Sequence, residues 1–307
     1  MTTSSKGDKC SMKKQVIGID IGGTTLNLGS FLPDGTCTKF VSIPTPQPAT
    51  PEAIVKAIAP IIKQLAPDYN CQAVGIGMPG PTDKTNRIAR IGINLPDWEN
   101  VPLAQLIEQQ TQLPATLAND ANCAAIGEAW LGAGRNINNF IMLTLGTGVG
   151  GAIFLNGKLF TGSYGAAGEL GLITLNPDGH PCNSGNNGSL EQHACIRAIK
   201  RMTGKTPMEL SILAQKGDRD ALNFWQQFGT ILGAGITSLI YVLTPEAVIL
   251  GGGISDSATY FFPAIENEIT RRVHPSSRVG LRLLKARLGN NAGMIGAAKL
   301  AWNLLQS

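Results

Sequence analysis

Val16-Ile-Gly-Ile-Asp-Ile-Gly-Gly-Thr24 and Phe140-Ile-Met-Leu-Thr-Leu-Gly-Thr-Gly-Val-Gly-Gly-Ala-Ile-Phe154 decide the architecture of this 307-residue chain. The first is an apolar strand that ends in a glycine turn, and Thr25–Phe31 returns from it as a second strand. The second repeats the pattern within itself. Pro33-Asp-Gly35 and Asn156-Gly157 supply the next turns. Setting Ile19–Phe31 against Leu143–Leu155 puts Asp20 opposite Thr144 and Gly22 opposite Gly146. This weak internal repeat predicts two related α/β domains, each opening with a glycine-tipped hairpin and facing the other.

Outward from the hairpins, the spacing predicts helices over 51–65, 101–111 and 121–131, and strands over 71–78 and 115–118. In the second half it predicts helices over 190–202, 208–215, 219–243, 258–272 and 293–305, with a strand over 247–250 that runs into Gly251-Gly-Gly253. Alternating helices and strands make the class α/β. The expected division is a disordered tail over 1–14, an N-terminal domain over 15–134 and a C-terminal domain over 135–292. A final helix, 293–307, returns to the first domain.

Composition bounds the partners. Hydrophobic residues make up 43% and charged residues 15%, a globular balance. A net charge of +4 with no basic stripe gives no footprint for nucleic acid. The six cysteines (10, 37, 71, 123, 182 and 195) form no C-x-x-C pair, which fits free thiols in a reducing compartment. The N-terminus is polar and lacks the apolar core of a signal peptide. The uncharged stretch 221–245 carries Asn223, Gln226 and Gln227 and reads as a buried helix ended by Pro245, not a membrane span. The expectation is a cytoplasmic protein without membrane or nucleic-acid partners.

Backbone N–H groups that must approach an anion closely call for glycine. Three segments qualify: Asp20-Ile-Gly-Gly-Thr24, Leu145-Gly-Thr-Gly-Val-Gly150 and Gly251-Gly-Gly253. Each alone serves equally well as a turn; together, each after an apolar strand, they point to phosphate binding. No G-x-x-x-x-G-K-[ST] loop is present, which sets aside a P-loop ATPase.

The order of these segments resembles the actin-like (ribonuclease H-like) ATPase superfamily. Gly77-Met-Pro-Gly80, Asn94-Leu-Pro96, Asn119-Asp-Ala-Asn122 with Gly127-Glu128, and Gly168-Glu-Leu-Gly171 narrow the resemblance to the ROK family of repressors and sugar kinases. Pro245–Gly253 and Ala292-Gly-Met-Ile-Gly-Ala-Ala298 extend it, so that it spans Ile17 to the C-terminus. Within the family the chain most resembles bacterial glucokinases. The resemblance implies a ligand cleft between two domains, ATP and magnesium as cofactors, a hexose substrate (first glucose) phosphorylated at its 6-hydroxyl, and a homodimer.

Residue by residue, the resemblance makes Asp120 the general base. From the sequence alone, Asp120 also reads as the N-cap of the helix that follows it. Sugar hydroxyls fall to Asn94, Asn119, Asp120, Glu169 and Glu191. Phosphates and nucleotide fall to Asp20, Gly22, Gly23, Thr24, Gly146, Thr147, Gly148, Gly251, Gly252 and Gly253, with Asp20 holding magnesium through water. The departure is the family's zinc loop. Its ligand positions hold Leu172, Cys182, Ser184 and Ser189, and one thiolate with neutral serines is no tetrahedral zinc site, so no structural zinc is expected. Hydrogen bonds from Ser184 and Ser189, with turns at 178–179 and 187–188, are expected to hold the loop instead.

Three alternatives stay open. One is a kinase for N-acetylmannosamine, fructose or another hexose, which Leu172 in place of the family histidine bears upon. Another is a non-catalytic sugar sensor. The third is a repressor, although only about a dozen polar residues precede the first strand where a winged helix would sit. The donor, ATP or inorganic polyphosphate, is not legible.

Overall fold

The computed structural model describes residues 13–92 and 95–306. The expected tail therefore lies outside the described residues except for Lys13 and Lys14, and Asn94 and Cys10 lie outside them too.

Two five-stranded sheets share one topology. The first joins β1 (Gln15–Ile21), β2 (Thr25–Phe31), β3 (Cys37–Pro44), β4 (Cys71–Met78) and β7 (Ala115–Asn119) in the order β3-β2-β1-β4-β7. A separate two-stranded ribbon, β5 (Ala89–Ile91) with β6 (Glu99–Val101), lies between β4 and β7 in sequence. The second sheet joins β8 (Phe140–Leu145), β9 (Val149–Leu155), β10 (Lys158–Leu159), β11 (Ala247–Gly251) and β12 (Arg282–Lys285) in the order β10-β9-β8-β11-β12. In each, an antiparallel hairpin is followed by parallel strands. The registers match as well. Ile21 pairs with Leu26 at the tip of the first hairpin and Leu145 with Val149 at the tip of the second. Asp20 and Thr144 thus occupy equivalent positions, as the repeat in the sequence requires.

The helices are α1 (Pro51–Asp68), α2 (Leu103–Thr111), α3 (Asp120–Leu131), α4 (Glu191–Ala194), α5 (Ile196–Thr203), α6 (Pro207–Gln215), α7 (Arg219–Leu243), α8 (Ala258–Arg272) and α9 (Ala292–Leu304). The predicted helix over 190–202 is two helices. They break at Cys195, where the Ile196 N–H leaves the helical ladder and donates to the Gly146 carbonyl at 2.8 Å. The helix expected from Val101 starts at Leu103, because Glu99–Val101 pairs with β5. α7 has the expected bounds. Asp218 Oδ1 accepts from the Ala221 N–H at 2.9 Å to cap its start. By length and composition α7 would suffice to cross a membrane, but half of that stretch is buried in the protein, around Trp225, Leu232, Ile236 and Ile240.

Helices α3 and α9 run together between the two sheets. Met294, Ala298 and Ala301 of α9 pack with Val16, Phe31 and Ala73 of the first sheet. Ala125 and Ile126 of α3 pack with Phe140, Met142 and Phe154 of the second. The close approach depends on glycine. A Cβ at Gly75 would overlap the Ala297 carbonyl, and one at Gly296 would overlap that of Cys123. This crossing brings the N-terminus of α3 and the N-terminus of α9 together beside Asp20.

Candidate active site

Asp20 is the next-to-last residue of β1 and pairs with Asn27 and Gly77. Gly77 and Gly293 flank its carboxylate: a Cβ on either would come within 3.6 and 3.0 Å of Asp20 Oδ1. Burial, then the charge of Asp120, pushes its carboxyl up to about 7. Buried Cys123 lies behind the pair, and the charges of Asp20 and Asp120 add to burial in raising its thiol.

Asp120 is the first residue of α3. The cap is Asn119, not Asp120 as the sequence suggested: Asn119 Oδ1 accepts from Ala121 N at 2.9 Å and from Asn122 N at 3.2 Å. Asn119 Nδ2 donates to the Gly80 carbonyl at 3.4 Å, tying the Gly77–Gly80 turn to the start of α3. Asp120 Oδ1 accepts from Ala121 N at 2.8 Å, which fixes its carboxylate over the helix N-terminus. Asp120 keeps an exposed side-chain surface, yet the dense protein around it raises its carboxyl by desolvation.

The second half adds two acids. Glu169 is exposed to the cleft, and its carboxyl is raised by burial of its surroundings and by the charges of Asp120 and Glu191. Glu191 begins α4, and its Oε2 accepts from the Val149 N–H at 2.9 Å. Arg197 Nη2 lies 3.6 Å from Glu191 Oε1. Asp20, Asp120, Glu169 and Glu191 therefore share one electrostatic neighbourhood.

The glycine segments border it. At the first tip Gly22 N donates to the Thr25 carbonyl at 3.0 Å, Thr45 Oγ1 donates to the Gly22 carbonyl at 2.6 Å, and Thr45 N donates to the Thr24 carbonyl at 2.9 Å. A Cβ at Gly23 would meet nothing within 4 Å, so that backbone is open to a ligand. At the second tip, Gly146 N donates to the Gly148 carbonyl at 2.9 Å across Thr147. A Cβ at Gly150 would come 2.9 Å from the Ala121 Cβ, which places this hairpin against the start of α3. Gly251 pairs with Thr144, Gly252 has φ of 79° against Leu145, and Gly253 is open. The late glycine run thus adjoins the second hairpin.

Two side chains were given no role of their own from the sequence. Thr45 braces the first tip, and Asn122, almost wholly buried, leaves its Oδ1 without a hydrogen-bond partner among the described residues, 3.9 Å from the Cβ position of Gly168. In the loop after Glu169, Ser189 Oγ and Cys182 Sγ lie 2.7 Å apart. Ser184, expected to help hold that loop, is exposed and makes no side-chain hydrogen bond among the described residues.

A glucokinase of Thermotoga maritima is 34% identical, covering 94% of this chain and 97% of that one. A glucokinase of Streptomyces coelicolor is 35% identical over 93% of this chain and 96% of its own. Among solved structures, a ROK family glucokinase from Streptomyces griseus in complex with glucose and AMPPNP superposes with a TM-score of 0.82 at 34% identity, covering 94% of this chain and 99% of that one. The shared architecture is the two-domain actin-like ATPase fold. With duplicated sheets, acids gathered at the start of α3 and a ROK family model matching residues 16–303, this chain belongs to the ROK family.

Proposed function

We propose that this protein is a cytoplasmic, homodimeric sugar kinase that moves the γ-phosphoryl group of ATP to the 6-hydroxyl of a free hexose, with glucose the first candidate. The observation that carries the reading is Asp120, held over the N-terminus of α3 beside the second glycine hairpin and facing Asp20 and Glu169. The glucokinases of similar sequence, and the neighbour bound to glucose and AMPPNP, support sugar and nucleotide as its two ligands.

In this reading Asp120 accepts the proton of the 6-hydroxyl as that oxygen bonds to the γ-phosphorus and the bond to the ADP oxygen breaks. A carboxyl raised by burial is a stronger base than an ordinary one. Asn119 holds the base in place through its cap and its tie to Gly80. Asn119, Asp120, Glu169 and Glu191, together with Asn94, take the sugar hydroxyls, since a carboxylate accepts from two vicinal hydroxyls. Backbone N–H groups at Gly23, Thr24, Thr147 and Gly148 face the phosphates, Gly22 and Gly146 shape the two tips with N–H groups already bonded within them, and Gly251–Gly253 take the adenosine.

Magnesium fits the residues present. Neither Asp20 nor Asp120 has a cationic partner among the described residues, and their mutual repulsion is relieved by a cation. Asp20 would hold it through water, and the ion would supply neutralising charge to the phosphates. Residues 15–134 with the helix 293–307, and residues 135–292, are proposed as the two bodies that close on the sugar.

A coupled assay with magnesium, ATP or polyphosphate, and a panel of glucose, mannose, fructose and N-acetylmannosamine tests the reading. Turnover of a hexose with ATP is expected. No turnover of any sugar with either donor would overturn it.

A further inference from the structure

Glu169 and Glu191 stand at the two ends of one loop, 170–190, so whatever shapes that loop sets their spacing. In kinases that this chain resembles the task implies zinc, but the donors here do not fit it. Leu172 offers none and Ser184 is exposed. The Cys182 sulfur is engaged by Ser189 Oγ at 2.7 Å and by Gln192 Nε2 at 3.5 Å. Among the described residues no group of three or more His, Cys, Asp or Glu is placed to hold a metal.

Asn186 is placed to do the work instead. Its Nδ2 donates to the Leu172 carbonyl at 2.8 Å, and its Oδ1 accepts from Thr174 Oγ1 at 3.1 Å and from Asn187 N at 2.7 Å. Its own carbonyl accepts from Cys182 N at 2.7 Å. The amide orientation follows from its partners, because a carbonyl needs a donor and an N–H needs an acceptor. The contact with Asn187 is to the next residue and stays local to the turn. Those with Leu172 and Thr174 join the outgoing leg of the loop to the returning one, which a turn does not require.

Both legs lead directly to the acids. Leu172 N donates to the Glu169 carbonyl at 3.0 Å. On the returning leg Ser189 bridges Thr174, and Leu190 N donates to the Ile173 carbonyl at 2.9 Å, one residue before Glu191. We propose that Asn186 is a positioning residue: it holds Glu169 and Glu191 at the spacing the sugar needs, by side-chain hydrogen bonds and without a metal. This inference rests on the sugar-site reading above.

Three measurements on the full chain test it. Elemental analysis of purified protein should find zinc well below one per chain, with a melting temperature indifferent to chelators; about one tightly held zinc, lost together with loop order, would overturn the metal-free device. Asn186→Ala and the isosteric Asn186→Asp should raise the sugar KM about tenfold, with kcat and the ATP KM within about twofold, while Ser184→Ala changes neither. An unchanged sugar KM, or equal losses in every constant, would overturn the positioning role. Amide hydrogen exchange in Asn186→Asp should accelerate over 172–192 alone, and unchanged exchange there would sink the latch itself. Absence of hexose turnover in the unaltered protein would defeat the kinase reading only, since the zinc and exchange measurements need no substrate.

Discussion

The Glu191 carboxylate accepts a 2.9 Å hydrogen bond from the backbone N–H of Val149, so an acid of the proposed sugar site is fixed to the tip of the second glycine hairpin. The proposed sugar and phosphate ends of the site are thereby joined through one bond. Gly148 makes room for it: a Cβ there would overlap Glu191 Oε2. Its φ is not positive, so any cost of a larger residue comes from that contact and not from backbone strain.

Gly148→Ala should therefore displace Glu191 from Val149 while leaving the fold intact. A charge-assisted bond of this kind contributes roughly 1.5–3 kcal/mol, so kcat/KM for the sugar should fall at least about tenfold. The ATP KM should rise with it, because the hairpin tip loses its brace. Unaltered kinetics in this variant would separate the hairpin from the sugar acids.

Asp120→Asn keeps the size of the side chain and an oxygen able to accept from Ala121 N. It removes the proposed base. The expected result is near-normal sugar affinity with kcat lowered by about a hundredfold to ten-thousandfold. Isothermal titration and a coupled assay on the same preparation would check both halves. Turnover close to the unaltered level would remove Asp120 from the base role.

The proposed magnesium role of Asp20 ties its binding to pH. Its folded carboxyl is raised from 3.8 to about 7, so the native state holds a proton that the unfolded chain releases early. This costs no stability below the unfolded value, and the cost grows as pH rises, reaching its full size above about 7. A cation beside Asp20 favours the ionised form and relieves the cost. The rise in melting temperature on adding magnesium should thus be larger at pH 8 than at pH 5, and Asp20→Asn should abolish the difference. That variant, without ligands at pH 8, should melt above the unaltered protein while losing magnesium-dependent activity. Equal shifts at the two pH values would contradict the burial of this carboxylate.

What the sequence made legible follows physical lines. The glycine-tipped hairpins and their shared register came from apolar runs and turn residues, which are local. Both ends of α7 were legible because Asp218 caps one and Pro245 lies just beyond the other. Strand β3 was missed: most of Cys37–Pro44 is exposed, so it carries no apolar alternation. Strand β12 was missed because Arg282 and Lys285 break its apolar run. The break at Cys195 depends on the bond from Ile196 N to the Gly146 carbonyl, far away in the sequence, and the role proposed for Asn186 depends on Leu172 in the same manner. The four acids were found through motif resemblance; nothing in composition or period brings Asp20 to Asp120.

Glu128 was quoted only as part of a motif, yet it is fully buried and each of its oxygens is bonded. Oε2 accepts from Ala133 N at 2.6 Å, and Oε1 accepts from Arg287 N at 2.9 Å and Leu288 N at 2.8 Å. The end of α3 is thereby joined to the segment that leads into α9. Glu128→Ala leaves three N–H groups to find new partners, and about 3 kcal/mol or more of stability should be lost in urea unfolding. Glu128→Gln should lose less, since one oxygen remains, but its NH2 must face at least one donor. The effect should also reach the cleft. Leu288 precedes α9 by a single turn, and Gly293 in that helix lies beside the Asp20 carboxylate. Loosening the anchor lets Gly293 shift from Asp20, so the folded fraction of Glu128→Gln should need more magnesium for half-maximal activity while its sugar KM stays near normal. A Glu128→Gln protein as stable as the original, with the same magnesium requirement, would show that the carboxylate does not hold α9 in place.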